Sequence, residues 1–416
     1  MAPVSMLVIG AGARGNVYAG FAAQHPDKAR IVGVAEPREY YRMRMAEQHK
    51  IPLANAAADW RELAARPKSA DAVLICTQDN LHVEPALAFV KQGYHVLLEK
   101  PMGQKEPDTR RVAQAALQAG IVFAVCHVLR YTDYTQRLKA IIDSGAIGAV
   151  VSLQHLEPMG YWHMAHSFVR GNWGNEARSS PLLLSKSCHD LDWIHYVMGG
   201  RCEQISSFGS LYHFRKENRP AGAADRCLDC AVESKCPYSA KKTYLGRLER
   251  GETGWPLDTV TPDLTLPGVT KALREGPYGR CVYACDNDVV DNQVVNMLYS
   301  GGRTATFTVL AFNKWTDRRT RVFGTRGELH GDGQYIEHFD FLTDKTERID
   351  TRALDADDAY GHGGGDYRLM QAFTAAIASG DRTKVVSGAQ ETLESHLMVF
   401  AAERSRREGR VVALTY

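Results

Sequence analysis

The sequence predicts an α/β protein that begins with a doubly wound parallel sheet of the dinucleotide-binding kind. Three observations carry that prediction. A glycine-rich loop sits between an apolar strand and a helix, an acidic residue follows about twenty positions later, and strands alternate with helices as far as residue 126.

Met6-Leu7-Val8-Ile9 reads as a short buried strand, and Gly10-Ala11-Gly12-Ala13-Arg14-Gly15 follows at once, leading into the helical spacing of Asn16 to Phe21. In this G-x-G-x-x-G context Gly10 permits the tight turn, Gly12 lets backbone approach a pyrophosphate, and Gly15 packs helix on strand. Ala13 and Arg14 complete the loop's expected cofactor contacts. A second strand, Ile31 to Ala35, ends at Glu36, where a carboxylate accepts from the adenosine ribose hydroxyls. Glu36 repels a 2′-phosphate and favours NAD, whereas Arg38 can pair with one and leaves NADP open.

Asp71 to Cys76 is the next buried strand, followed by Thr77-Gln78-Asp79-Asn80-Leu81-His82 and a helix from Val83 to Gln92 that Gly93 ends. Tyr94 to Leu98 and Ile121 to Val125 continue the pattern. In open parallel sheets ligands bind at the carboxyl ends of the strands. Thr77, Gln78, Asn80, His82, Glu99 and Lys100 all fall there and are expected at the cofactor, although His82 reads equally well as a capping histidine. Glu99-Lys100-Pro101 places an amine beside the nucleotide site.

Length and composition suit a two-domain enzyme: 416 residues exceed one small core, and 44% apolar residues leave ample material to bury. A net charge of +2, with lysines and arginines scattered among acids, argues against a nucleic-acid partner. No run of about eighteen apolar residues suggests a membrane span. The first apolar stretch is already the nucleotide-binding strand, so a cytoplasmic protein is expected, with its nine cysteines as thiols.

Gly10-x-Gly12-x-x-Gly15, Thr77 to His82 and Glu99-Lys100-Pro101 together resemble the three successive signatures of the glucose-fructose oxidoreductase, inositol dehydrogenase and rhizopine-catabolism superfamily (Gfo/Idh/MocA). Gln78 stands where that family commonly has proline. The resemblance implies a Rossmann domain over 1–126, then an α+β domain over 127–416 whose large, mostly antiparallel sheet carries the substrate site and often the subunit contacts. It also implies action on a hydroxyl of a sugar, polyol or related ring, with a minority of NAD-dependent glycosidases, and a homo-oligomer.

Ser185 to Met198, stopped by Gly199-Gly200, reads as one helix with Ser185, His189 and Asp192 on a shared face. In the family's sugar dehydrogenases an acidic residue four before the histidine assists it as acid/base; here His189 matches and Ser185 occupies the assisting position. Lys186 or Asp192 are the alternatives, and both are expected near substrate. A carbinol carbon releases hydride only as its hydroxyl loses a proton, so His189 and Lys100 form the expected acid/base pair. His189 also reads as a satisfied core histidine.

His127 and Arg130 follow the last strand of the first domain and are expected to line the cleft. Trp162, His163 and Arg170 belong to an aromatic and histidine-rich loop suited to a sugar ring, or to packing of loop on sheet. Cys227-Leu228-Asp229-Cys230, then Cys236 and Cys281 or Cys285, suggest a structural zinc clamp on an insertion over 212–285, with an iron-sulfur cluster or free thiols as alternatives. From Val289 the chain returns to strand pattern, with a hairpin turning at Ser300-Gly301-Gly302, further strands at 321–324 and 328–331, and helices over 366–408. Tyr360-Gly361-His362-Gly363-Gly364-Gly365-Asp366 resembles a glycine-rich segment of sugar-acting members, including the glycosidases. It offers His362 to a substrate and Asp366 as a helix cap.

Three functions follow: an NAD(P)-dependent dehydrogenase of a ring hydroxyl, a redox-neutral NAD-dependent glycosidase, and a silent NAD-sensing regulator.

Overall fold

The computed structural model describes residues 2–314, 316–352 and 362–416. Its amino-terminal part is a six-stranded sheet of β1 (Val4–Ile9), β2 (Ala29–Ala35), β3 (Ala56–Ala57), β4 (Ala72–Ile75), β5 (His95–Leu98) and β6 (Phe123–Val125). Every pairing is parallel and the order is β3-β2-β1-β4-β5-β6. β1 is buried along its whole length, as expected of a strand covered on both faces. The strand order reverses between β1 and β4, which opens a crevice at their carboxyl ends. Gly93, at φ +75°, stops the helix Val83–Lys91 and donates its N–H to Val90 O at 2.9 Å.

The remaining strands are β7 (Val150–Pro158), β8 (Cys202–Ser210), β9 (Asn292–Tyr299), β10 (Arg303–Leu310), β11 (Arg319–Gly324), β12 (Gly327–Gly331), β13 (Tyr335–Asp340), β14 (Lys345–Asp350) and β15 (Val412–Ala413). They form a nine-stranded sheet ordered β14-β13-β12-β11-β7-β10-β9-β8-β15, antiparallel except for β7 beside β10. One face packs on helices Cys188–Met198 and Ala389–Glu408 through Leu191, Trp193, Ile194, Met398 and Ala402. On the other, Phe208 and Val294 are register partners and both are exposed.

The expected hairpin is present, with β9 and β10 joined through Ser300–Gly302. β3, β7, β8, β13, β14 and β15 escaped the sequence reading: β3 and β15 are two residues each, and polar residues interrupt the apolar runs of the others, β14 being almost wholly exposed. The helix expected from Ser185 is broken: Leu182–Ser185 is a separate short turn, and Lys186 and Ser187 precede helix Cys188–Met198. Asp366 does not cap its helix. Helix Gly365–Ser379 starts after Gly364 without a side-chain cap, and the Asp366 carboxylate is held by Arg14 and His362 instead. Of the glycine-rich segment, Tyr360 and Gly361 lie outside the described residues. Leu369, Met370 and Phe373 of this helix join the core of the first sheet, so a segment distant in sequence closes that layer.

Candidate active site

The glycine loop has the shape its sequence demands. Gly10 adopts φ +93°, and a Cβ there would lie 2.6 Å from Cys76 O; a Cβ on Gly15 would lie 2.1 Å from Gly10 O. Gly12 is different, since a Cβ there would meet only the end of Arg38 at 3.6 Å. That open space faces the start of helix Ala13–Gln24, which has neither a side-chain cap nor an acidic residue in its first turn. Backbone N–H groups and the helix dipole suit a phosphate there, so these residues fit a dinucleotide.

Glu36 is buried at the end of β2, accepts from Ala11 N at 3.0 Å and pairs with both Arg38 Nε (2.7 Å) and Nη2 (3.1 Å). Burial alone would raise its pKa, but the Arg38 contacts and the Ala11 amide outweigh it and hold the carboxyl below its ordinary value. Both carboxylate oxygens are thus engaged, Oε1 by the Arg38 N–H and Nε and Oε2 by the Ala11 N–H and Arg38 Nη2. Glu36→Gln should release Arg38 and raise NADP affinity relative to NAD by about tenfold or more, the worth of one charged hydrogen bond, as read by fluorescence titration.

Lys100 stands two residues beyond β5. Its backbone N–H donates to Glu99 Oε2 at 2.9 Å, and its Nζ crosses to the carbonyl of Ser185. Arg14 Nε donates to Glu99 Oε1 at 2.7 Å, and the same guanidinium pairs with Asp366, which His362 Nδ1 approaches at 3.0 Å. Arg14 and Glu99, expected at the cofactor, thus tie the glycine loop to the segment that carries His362. His82 is likewise occupied: its ring lies between Pro101 O (2.7 Å) and Thr77 O (3.1 Å), bracing the loop that carries Lys100. Thr77 donates to Leu81 O, while Gln78, Asn80 and Ala13 are exposed at the crevice.

His189 lies on helix Cys188–Met198, its ring 6.0 Å from that of His362 and 5.7 Å from that of His127. Burial first, then the Lys100 ammonium and the neighbouring His127, His362 and Arg318, push its pKa well below the ordinary imidazole value. Its imidazole is therefore held neutral beside a cation. Lys100, His189 and His362 are brought together.

Next to them is a charged cluster the sequence reading missed. Lys186 Nζ pairs with Glu157 Oε1 at 2.7 Å, and Arg318 Nε reaches Glu157 Oε2 at 3.0 Å and Asp190 Oδ1 at 2.5 Å. Asp190 and Glu157 are both buried, and His155 Nε2 approaches Asp190 at 3.3 Å. Lys186 is thus adjacent to the site but bound to a carboxylate. Asp190, an acid inside an apolar helix, was the available signal; Arg318 and Glu157 had none.

Trp162, His163 and Trp255 form an aromatic wall, with centroids 5.7 Å apart for Trp162 and His163, 5.3 Å for Trp162 and Trp255, and 4.9 Å for His163 and Trp255. Lys186, Lys100 and Arg318 all add to the effect of burial in depressing the His163 pKa, so this wall adjoins the same cleft.

Other expected contacts go elsewhere. Arg130 and Asp192 are both buried and bind each other through two 2.7 Å hydrogen bonds, a pairing that closes them to substrate. Arg170 is buried and donates to Arg280 O (2.7 Å), Tyr238 O (2.6 Å) and Cys227 Sγ (3.5 Å). It pins the insertion to the loop instead of lining the cleft. Among the described residues no three His, Cys, Asp or Glu side chains gather as a metal requires, and all nine cysteines are free thiols. Of the cysteines expected as zinc ligands, Cys227, Cys230, Cys236 and Cys281, three (Cys227, Cys236 and Cys281) lie close enough to interact electrostatically. Arg170 and an apolar cluster of Ala240, Tyr244, Leu257, Val269 and Leu273 hold the insertion instead.

Comparison with known proteins agrees with this architecture. Residues 4–127 match the Gfo/Idh/MocA model described as an oxidoreductase family with an NAD-binding Rossmann fold, and residues 139–414 match that family's C-terminal alpha/beta domain. The chain is 23% identical over 331 residues to YteT of Bacillus subtilis, covering 74% of this chain and 72% of that protein. It is 26% identical over 202 residues to 2,7-anhydro-N-acetylneuraminate hydratase of Escherichia coli, spanning 49% of this chain and 51% of the relative. A levoglucosan dehydrogenase solved with NADH and levoglucosan superposes with a TM-score of 0.71 at 17% identity, over the full length of both chains.

Proposed function

Since the chain belongs to the Gfo/Idh/MocA oxidoreductase family, we propose that it uses NAD to transfer a hydride to or from a ring hydroxyl carbon of a sugar, inositol or glycoside, with Lys100 and His189 as the acid/base pair. The observation that carries this reading is a buried His189 within reach of the Lys100 charge, Lys100 itself reaching from beyond β5 to Ser185 O. NAD would be held along the glycine loop, with Glu36 toward its ribose, and would supply the hydride acceptor. The protein's own residues deal with the proton and the geometry. His189 accepts the hydroxyl proton as the carbon is oxidised and returns it in the reverse direction. Lys100, braced by Glu99 and Ser185 O, holds the same oxygen, and its charge favours the alkoxide character that develops there. Trp162, His163 and Trp255 offer ring faces to the sugar, while His362 reaches the site from the glycine-rich segment.

A second reading is a redox-neutral reaction, glycosidase or hydratase, in which a hydroxyl is oxidised, a substituent is lost and the hydride is returned. The anhydro-sugar hydratase relative and the serine at position 185 favour it. A panel of sugars, inositols, glycosides and anhydro-sugars, followed both by NADH absorbance and by product analysis, separates the two. Accumulating NADH supports the dehydrogenase; product without NADH supports the redox-neutral reaction; neither overturns both. The exposed Phe208 and Val294 also favour a homo-oligomer through the open face of the large sheet, which light scattering tests.

A further inference from the structure

We infer that His127, backed by Asp192, is the positioning residue of His189: it accepts a hydrogen bond from His189 Nδ1 and so leaves Nε2 as the nitrogen for the substrate hydroxyl. This rests on His189 being the base of the proposed reaction. His127 is fully buried, and neither of its ring nitrogens has a hydrogen-bond partner among the described residues. The same is true of His189 Nδ1. Leaving a buried polar atom without a partner is costly. Here three such atoms belong to two rings that meet edge to face, at 82° and 5.7 Å. Each ring holds what the other lacks.

The surrounding groups decide which nitrogen does what. His127 Nδ1 lies 3.7 Å from Asp192 Oδ2, so a hydrogen on Nδ1 faces the carboxylate and Nε2 is left to accept. His396, on the other side at 5.5 Å, does not compete: its Nε2 accepts from Met102 N at 3.0 Å and its Nδ1 lies 2.9 Å from Thr392 O. Asp192 is fixed by Arg130 and by Ser395 Oγ at 2.8 Å. Ser185 supplies no acid, since its hydroxyl bonds to Pro181 O at 3.2 Å.

Burial above all, opposed by Asp192 and assisted by His396, Arg130 and Lys100, holds His127 near a pKa of about 3. Burial with Lys100, His127, His362 and Arg318 keeps His189 neutral as well. For two neutral imidazoles the tautomer is the property left to set. Catalytic hydrogen bonds commonly tighten only in the Michaelis complex. When His189 Nε2 takes the hydroxyl proton, the resulting imidazolium keeps its Nδ1–H on His127, with the Asp192 charge behind it.

The test is nitrogen NMR of histidine-labelled protein with bound NAD, His189 being assigned by loss of its signals in His189→Gln. The expected wild-type pattern is a protonated Nδ1 and an unprotonated Nε2. His127→Phe, which fills the space without an acceptor, should move the hydrogen toward Nε2, and His127→Asn, whose amide oxygen accepts, should restore the wild-type pattern in part. With a turned-over substrate, His127→Phe should lose about 10²-fold in kcat, as a misplaced proton transfer would, with NAD affinity unchanged. A wild-type His189 protonated on Nε2, or a pattern unchanged by His127→Phe, overturns the inference. The wild-type spectrum decides even if the phenylalanine variant does not fold. A substrate panel without turnover would overturn the proposed reaction instead, leaving the tautomer result to stand for the histidine pair.

Discussion

Lys100→Ala is expected to lower turnover by roughly 10²- to 10⁴-fold, the range a positioned proton transfer contributes, while NAD affinity stays near its wild-type value. The lysine projects from the carboxyl end of the sheet, past the nucleotide loop, and its Nζ is held against Ser185 O on the far wall of the cleft. In the proposed reaction it therefore bears on the reacting hydroxyl more than on the dinucleotide. Lys100→Arg should not restore the rate, because a planar guanidinium fork cannot place its donors where the compact ammonium sits. Steady-state kinetics on the substrate that the panel identifies, with NAD binding followed by fluorescence, checks both statements. Equal losses in turnover and NAD affinity would refute the assignment.

Arg130→Met should destabilise the fold by about 3–5 kcal/mol, the usual consequence of leaving a buried charge without its partner. Arg130 and Asp192 bind bidentately with side chains 2% and 1% exposed, and no solvent reaches the carboxylate to replace the guanidinium. The double variant Arg130→Met/Asp192→Leu should recover much of the loss, since an apolar pair of similar volume suits a buried site. Burial alone would raise the Asp192 pKa, but Arg130 and His127 bring it down to about 2, against an ordinary 3.8. Because the folded value is the lower one, the stability from this group is fully present above pH 4 and is lost as the pH falls from about 4 toward 2. Urea unfolding curves across that window should slope in the wild type, and Asp192→Leu/Arg130→Met should remove this contribution. A single variant as stable as wild type would sink the account.

These two residues show how unevenly the site was legible. Lys100 announced itself through an apolar strand, an acidic neighbour and a following proline, all adjacent in the chain. Arg130 and Asp192 looked like two polar residues free for substrate, and only their pairing shows otherwise. Arg170 followed the same course, drawn to the carbonyls of Tyr238 and Arg280 in the insertion. The cysteine spacing was legible, and the bridge between Arg226 and Arg280 brings Cys281 from the far end of the insertion toward Cys227, but among the described residues no group of side chains is arranged to hold a metal ion.

The sequence by itself determined most of the nucleotide half: the glycine loop, Glu36, and the alternation behind β1, β2, β4, β5 and β6. Each of these depends on the backbone or polarity needs of a few consecutive residues, which local pattern records. Only the tertiary structure decided which charges neutralise one another and which remain for chemistry. It took Arg318 from the edge of β11, Glu157 from β7 and Asp190 from a helix to form one buried cluster. It also set His127, from the end of the first sheet, against His189 in the second half of the chain. Such pairings follow from burial and long-range packing, which make an ionised or unpartnered group costly wherever the fold places it.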